Sequence, residues 1–200
     1  MSENPEKEGG AGEEILALVS SNKNNAVYAA GNSSKIYIYQ IVKSGSLNFM
    51  ATFEVLLHLR QGHTDTVTCL LIDGDILFSA SEDGTVRTWN CNPRYALQVF
   101  TDHRSGIHLM LLTDSTLMTS STDGMIYFSD YVREEVIAKY RKTDGKIYAM
   151  SFSYESRVLY MGSENDNILK INFDELLTES KSGHRVKMKS EKALSSKSKV

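Results

Sequence analysis

His63, Ser79 and Asp83 are the residue types of an acyl-transfer triad: an imidazole to take a proton, a hydroxyl to attack, and a carboxylate to hold the imidazole. The same chemistry returns 40 positions later as His103, Thr119 and Asp123. That recurrence argues against catalysis, because an active site has no reason to repeat at a fixed period. Nor does a glycine-framed nucleophile elbow surround Ser79. A zinc site from His63, His103 and His108 is also weak, since its ligands would come from separate repeats without the local spacing such sites use. Gly9-Gly10-Ala11-Gly12 precedes a strand-like run, so it lacks the helix a phosphate cradle requires. No catalytic, cofactor-binding or metal-ligating residue is assigned on this reading.

The elements that must position these side chains are short strands. Gln61 to Asn90 holds a Gly-His pair (Gly62, His63), an Asp-Gly turn (Asp83, Gly84) between two apolar runs, and an aromatic end (Trp89, Asn90). Asp-Gly flanked by alternating strand formers is a strong hairpin signal. Leu77, Ser79 and Ser81 take one face before the turn, and Thr85, Arg87 and Trp89 take one parity after it. Shifted by 40 positions the stretch recurs without a gap. Val67 meets Ile107, Leu77 meets Leu117, Gly84 meets Gly124 and Val86 meets Ile126. Only Trp89 is lost, to Ser129, with Asp130 following.

Two degenerate copies flank this pair. In the first, Ile15 to Val19 and Ala26 to Ala30 are strands, Gly31 to Ser34 replaces the turn, and Lys35 to Ile41 is the third strand, with Tyr39 standing where Trp89 does. A loop around Lys43 to Met50 is expected before a fourth strand near Glu54 to Leu59. In the last copy, Ile147 to Phe152, Arg157 to Gly162 and Ile168 to Phe173 are strands, Asn165-Asp166-Asn167 is the turn, and Phe173-Asp174 resembles a closing aromatic-acid pair. Short strands near Tyr95 to Phe100 and Glu135 to Tyr140 complete the middle copies. Gly183-His184 hints at a fifth start, but the chain then turns basic.

Four strands in each unit of about 40 residues, with Gly-His near the start and Trp near the end, resemble the blades of a WD-repeat propeller. The resemblance covers about residues 15 to 174. It implies an all-β chain of four consecutive four-stranded propeller-type blades, forming an open or partial propeller. Blades are expected at about 15–59, 60–100, 101–140 and 141–178. The resemblance also implies a structural hydrogen-bonded network of His63, Ser79, Asp83 and Trp89 in the second blade. The third would hold His103, Thr119 and Asp123, with Ser129 unable to fill the Trp position. Such a network is chemically sound, because indole donates, hydroxyl and imidazole each donate and accept, and carboxylate accepts. Some family members present Asp-x-Arg after the Trp to a ubiquitin-ligase adaptor; Asn90-Cys91-Asn92 does not support that role here.

Composition bounds the rest. The chain has 200 residues and a formal charge of −3. Residues 1–14 carry five Glu and one Lys, net −4, whereas 179–200 carry six Lys and one Arg against two Glu, net +5. These ends read as a disordered acidic tail and a disordered basic tail. No apolar run approaches the roughly 18 residues of a membrane span. The acidic start is no secretory signal, and Cys69 and Cys91 read as reduced thiols, Cys69 in the core. The chain is therefore read as intracellular, the cytoplasm favoured over the nucleus. Its expected task is that of a non-catalytic protein-interaction scaffold or adaptor, without cofactor or small-molecule substrate. Its partners are other proteins, including one that completes or covers open blade edges. An alternative places a nucleic-acid or acidic-lipid contact on the basic tail, though the tail lacks the interleaved aromatics that stack on bases. Another makes the chain a short isoform or fragment of a longer propeller protein.

Overall fold

The computed structural model describes residues 14–41, 46–53, 62–141, 146–164, 167–182 and 189–192. These form four antiparallel sheets of four strands each, every sheet ordered as the chain runs. They divide into two compact units, Met1–Thr101 and Asp102–Val200.

The first unit holds sheets 1 and 2. Sheet 1 comprises β1 (Ile15–Ser21), β2 (Ala26–Gly31), β3 (Ile36–Ile41) and β4 (Leu47–Phe53). Sheet 2 comprises β5 (Val67–Asp73), β6 (Ile76–Ser81), β7 (Val86–Cys91) and β8 (Arg94–Phe100). The middle strands β2 and β6 are buried along most of their length, each lying between two paired strands. Tyr28, Ile36 and Ile38 of sheet 1 join Val67, Leu70, Leu77 and Trp89 of sheet 2 in one core. Burial and a bond to Cys91 raise the Tyr28 hydroxyl above its usual range, and burial raises the Cys91 thiol.

The second unit holds sheet 3, of β9 (Ile107–Thr113), β10 (Thr116–Ser121), β11 (Met125–Asp130) and β12 (Glu135–Arg141). Sheet 4 comprises β13 (Ile147–Ser153), β14 (Val158–Ser163), β15 (Asn167–Asn172) and β16 (Lys189–Lys192), with helix α1 (Phe173–Ser182) between the last two strands. Its core joins Met118, Ile126 and Phe128 to Ile147, Leu159, Met161 and Ile171, with Phe173 and Leu176 of the helix.

Cross-strand pairing gives the sheets one common register. Leu77 faces Trp89, Leu117 faces Ser129, Val27 faces Tyr39, and Leu159 faces Ile171. In the two central copies the Asp-Gly pair ends a turn of four residues. The Gly84 amide donates to the Ser81 carbonyl at 3.2 Å, and Gly84 has φ +81°, a conformation that favours glycine.

Four expectations need correction. The fourth strand of sheet 1 is Leu47–Phe53, not a strand near Glu54 to Leu59, whose residues lie outside the described ones. Leu47, Phe49, Ala51 and Phe53 supply the period-2 pattern, and seven of the extra ten residues follow the strand, nine standing between Phe53 and His63 against two between Phe100 and His103. Phe173-Asp174 is a helix start, because the Asn172 side chain caps it, accepting from the Asp174 and Glu175 amides at 3.0 and 3.2 Å. Within the basic run, α1 continues to Ser182 and Lys189–Lys192 is a strand, pairing through its backbone with Asn167 to Lys170. Backbone pairing needs no apolar side chains, which is why composition missed it. Cys69 is only partly buried, while Cys91 belongs to the core. The Asn165-Asp166 turn, Thr143 and Gly183-His184 lie outside the described residues.

Candidate functional site

The chemistry-bearing residues of sheet 2 meet along one line. Ser79 comes from β6 and Trp89 from β7, Asp83 sits in the turn between these strands, and His63 precedes β5. His63 Nε2 lies 2.7 Å from Ser79 Oγ, and His63 Nδ1 lies 3.0 Å from Asp83 Oδ2. The indole Nε1–H of Trp89 donates to Ser79 Oγ at 2.8 Å. A carboxylate beside Nδ1 requires the proton there, so Nε2 is free to accept from the Ser79 hydroxyl. Indole, hydroxyl, imidazole and carboxylate thus form one relay with no polar member left over.

Asp83 is held from several sides. The Thr64 amide donates to its Oδ2 at 3.0 Å, and the Thr85 amide and hydroxyl donate to its Oδ1 at 2.8 and 2.7 Å. Burial pushes this carboxyl up, but the bonds from His63, Thr85 and Thr64 outweigh it and hold the group below the usual carboxylate range. Thr85 is a member that residue-type reasoning missed. Its signal was a hydroxyl two residues after the turn aspartate, the spacing of a side-chain-to-backbone turn.

The sheet has the bond order of a hydrolase triad but not its access. His63 and Ser79 are 0 % exposed and Trp89 only 3 %. The serine oxygen that would attack a substrate already accepts from the indole, and its hydroxyl lies 3.4 Å from the Arg87 carbonyl.

Sheet 3 assembles only half of the arrangement. His103 Nε2 lies 2.7 Å from Thr119 Oγ1, but Asp123 does not reach the imidazole. It takes the Ser121 hydroxyl and, at 3.0 Å, the Met125 amide. Met125 brings no hydroxyl where Thr85 does, and Ser129 brings no indole. His103 Nδ1 is left buried without a hydrogen-bond partner among the described residues, and the ring packs edge-on against Tyr127 at 4.5 Å between centroids. Burial pulls His103 down to about 4, with Asp123 opposing and His108 adding to the shift.

In sheets 1 and 4 neither place holds the serine or the indole of sheet 2. Register puts Ala29 and Tyr39 in sheet 1, and Met161 and Ile171 in sheet 4, where Ser79 and Trp89 stand. Among the described residues no three His, Cys, Asp or Glu side chains are placed to hold a metal. His108, considered for zinc, points its Nε2 at the Ile147 carbonyl, 2.5 Å away.

Residues 54–90, which contain His63, Ser79, Asp83 and Trp89, match the family described as "WD domain, G-beta repeat". The four-sheet chain superposes on a solved structure of U3-55K with a TM-score of 0.73 and 16 % identity, over 92 % of this chain and 53 % of that one. These residues are a WD repeat, set in a chain with the fold of WD40-repeat structures. Pre-mRNA-processing factor 19 of Bos taurus is 33 % identical over 46 % of this WD-repeat chain and 19 % of its own length. Protein ROOT INITIATION DEFECTIVE 3 of Arabidopsis thaliana is 27 % identical over 58 % of this chain and 26 % of its own. The chain thus spans about a quarter or less of these curated relatives.

Proposed function

We propose that this WD-repeat chain is a non-catalytic protein-interaction scaffold, a module of a larger complex. The observation that carries the reading is the sealing of Ser79, His63 and Asp83. The side chains able to do acyl-transfer chemistry are consumed by one another and by Trp89 inside the sheet, so the work of the molecule falls to its outer surfaces. We assign the networks of both central sheets a structural role, with Asp123 outside the sheet-3 pair. The blade boundaries near residues 60, 101 and 141 are part of the same proposal. No helix among the described residues is long and apolar enough to cross a membrane. A relative named for pre-mRNA processing gives no ground for preferring the cytoplasm over the nucleus.

Two measurements test this reading. A fluorophosphonate probe should leave the folded chain unlabelled, because Ser79 is out of reach; labelling at Ser79 that disappears in Ser79→Ala would overturn the non-catalytic assignment. Affinity capture on the immobilised chain should retain protein partners as salt is raised. Binding carried by the basic end would instead fall steeply with ionic strength, as counterion release dictates.

A further inference from the structure

The two units each show how one sheet of this chain seats on the next. In the first unit, Tyr28 and Ile36 of sheet 1 pack in one buried cluster with Val67 and Leu70 of sheet 2. In the second, Met118 and Ile126 of sheet 3 stand at the same register positions as Tyr28 and Ile36. They pack in one cluster with Ile147 of sheet 4, the counterpart of Val67. Each sheet therefore has a leading face, to which its first strand adds residues such as Val67 and Leu70 beside those of its second and third strands, and a trailing face, whose large side chains come from its second and third strands.

Two such faces carry exposed apolar side chains, although Val27, the sheet-1 counterpart of Leu77, is buried. On the leading face of sheet 1, Ile15 and Leu18 are the register counterparts of Val67 and Leu70, yet they are 47 % and 66 % exposed. On the trailing face of sheet 4, Tyr160 and Ile168 are the counterparts of Tyr28 and Ile36, yet they are 40 % and 48 % exposed. Tyr148 is 58 % exposed as well, whereas its sheet-3 counterpart His108 bonds to the next sheet. Large apolar side chains grouped on a sheet face mark a contact surface.

The residue types say what fits there. The trailing face of sheet 4 repeats the Tyr28 and Ile36 of sheet 1, with Lys170 at the place of Ile38, and the leading face of sheet 1 repeats the β-branched residue and Leu of sheet 2. One chain thus carries both halves of a junction that its own first unit already makes. We propose that the chain associates head-to-tail with a second copy of itself. Ile15 and Leu18 of one copy then seat on Tyr160 and Ile168 of the other, as Val67 and Leu70 seat on Tyr28 and Ile36. Such contacts are heterologous, joining different surfaces of the two copies. The inference stands apart from the scaffold reading, since it concerns self-association only.

Sedimentation velocity on the full chain up to about 100 µM tests it, a range that detects micromolar contacts. The wild type should form dimers or larger species. Leu18→Glu and Ile168→Glu lie on opposite halves of the junction, and each should weaken association by about tenfold or more. Both positions are exposed, so circular dichroism, and melting at dilutions where the wild type is monomeric, should match wild type and separate lost contact from lost fold. An equimolar mixture of the two variants should regain a dimer that neither makes alone, since each retains one intact face. A wild type monomeric throughout the range would overturn the proposal, leaving these faces to a different protein. Variants that assemble like wild type would overturn it too. So would sensitivity at one face only, which would mean like-to-like pairing.

Discussion

His63 and His103 are the same residue at the same place in two repeats, and their surroundings set them apart. His63 has a carboxylate on Nδ1 and a hydroxyl on Nε2, whereas His103 has only the hydroxyl. Its folded pKa of about 4 lies below the roughly 6.5 of an unfolded histidine, so between these values the unfolded chain binds more protons. The stability His103 contributes is therefore full above about pH 6.5 and is lost as the pH falls toward 4, by at most ~3 kcal/mol. Urea midpoints measured at pH 7 and pH 5 should fall in that direction. His103→Leu should flatten the slope without abolishing it, because burial lowers His108 as well. Loss through Asp83, whose folded pKa is depressed, belongs to still lower pH, below the unfolded carboxylate range. A slope unchanged in His103→Leu would show that another group titrates. Trp89 offers a second test. Trp89→Ala should cost about 3–5 kcal/mol as a large core truncation. Trp89→Phe keeps the ring but removes the donor to Ser79 and should cost about 1–3 kcal/mol. Urea denaturation followed by circular dichroism would separate them, and a Phe variant as stable as wild type would show that the indole bond contributes nothing.

Among the elements, those read correctly from sequence were those whose signals are local. The Asp-Gly turns and the alternation around them place β6, β7, β10 and β11 directly, and Ser79 and Thr119 with them. The elements that were misread depend on information carried elsewhere. Strand β16 is held by backbone pairing to β15, and its Lys-rich side chains give no sign of it. Helix α1 is announced only by a capping Asn172 and an acidic first turn, and Phe173 beside Asp174 imitated a repeat ending. The gap between His103 and Asp123 turns on carboxylate orientation, which residue type does not encode. Gly31 shows a local constraint that composition leaves invisible. A Cβ there would lie 1.7 Å from the Glu14 carbonyl oxygen, which accepts the Asn32 amide at 3.0 Å. Gly31→Ala must push the start of β1 away, with an expected loss of about 1–3 kcal/mol. Hydrogen exchange should show the Asn32 amide losing protection while amides of sheet 2 keep theirs. Unchanged protection at Asn32 would reject the argument.

At the scale of the whole molecule, each sheet junction described within a unit holds an apolar cluster, and four positions of that cluster recur exposed, as Ile15 and Leu18 on the first sheet and Tyr160 and Ile168 on the last. Association of copies through these faces would link stability to concentration. A contact made only by folded chains stabilises them by mass action, in proportion to the logarithm of the free concentration above the dissociation constant. Each tenfold rise in protein should then add about 0.7–1.4 kcal/mol per chain. For a chain of this size that corresponds to roughly 2–5 °C in melting temperature. Thermal scans at several concentrations should therefore climb for the wild type and stay level for Leu18→Glu and Ile168→Glu. The variants matter because aggregation during heating also depends on concentration, but it lowers the apparent midpoint instead of raising it. A wild-type midpoint that stays level or falls with concentration would count against folded-state association through these faces.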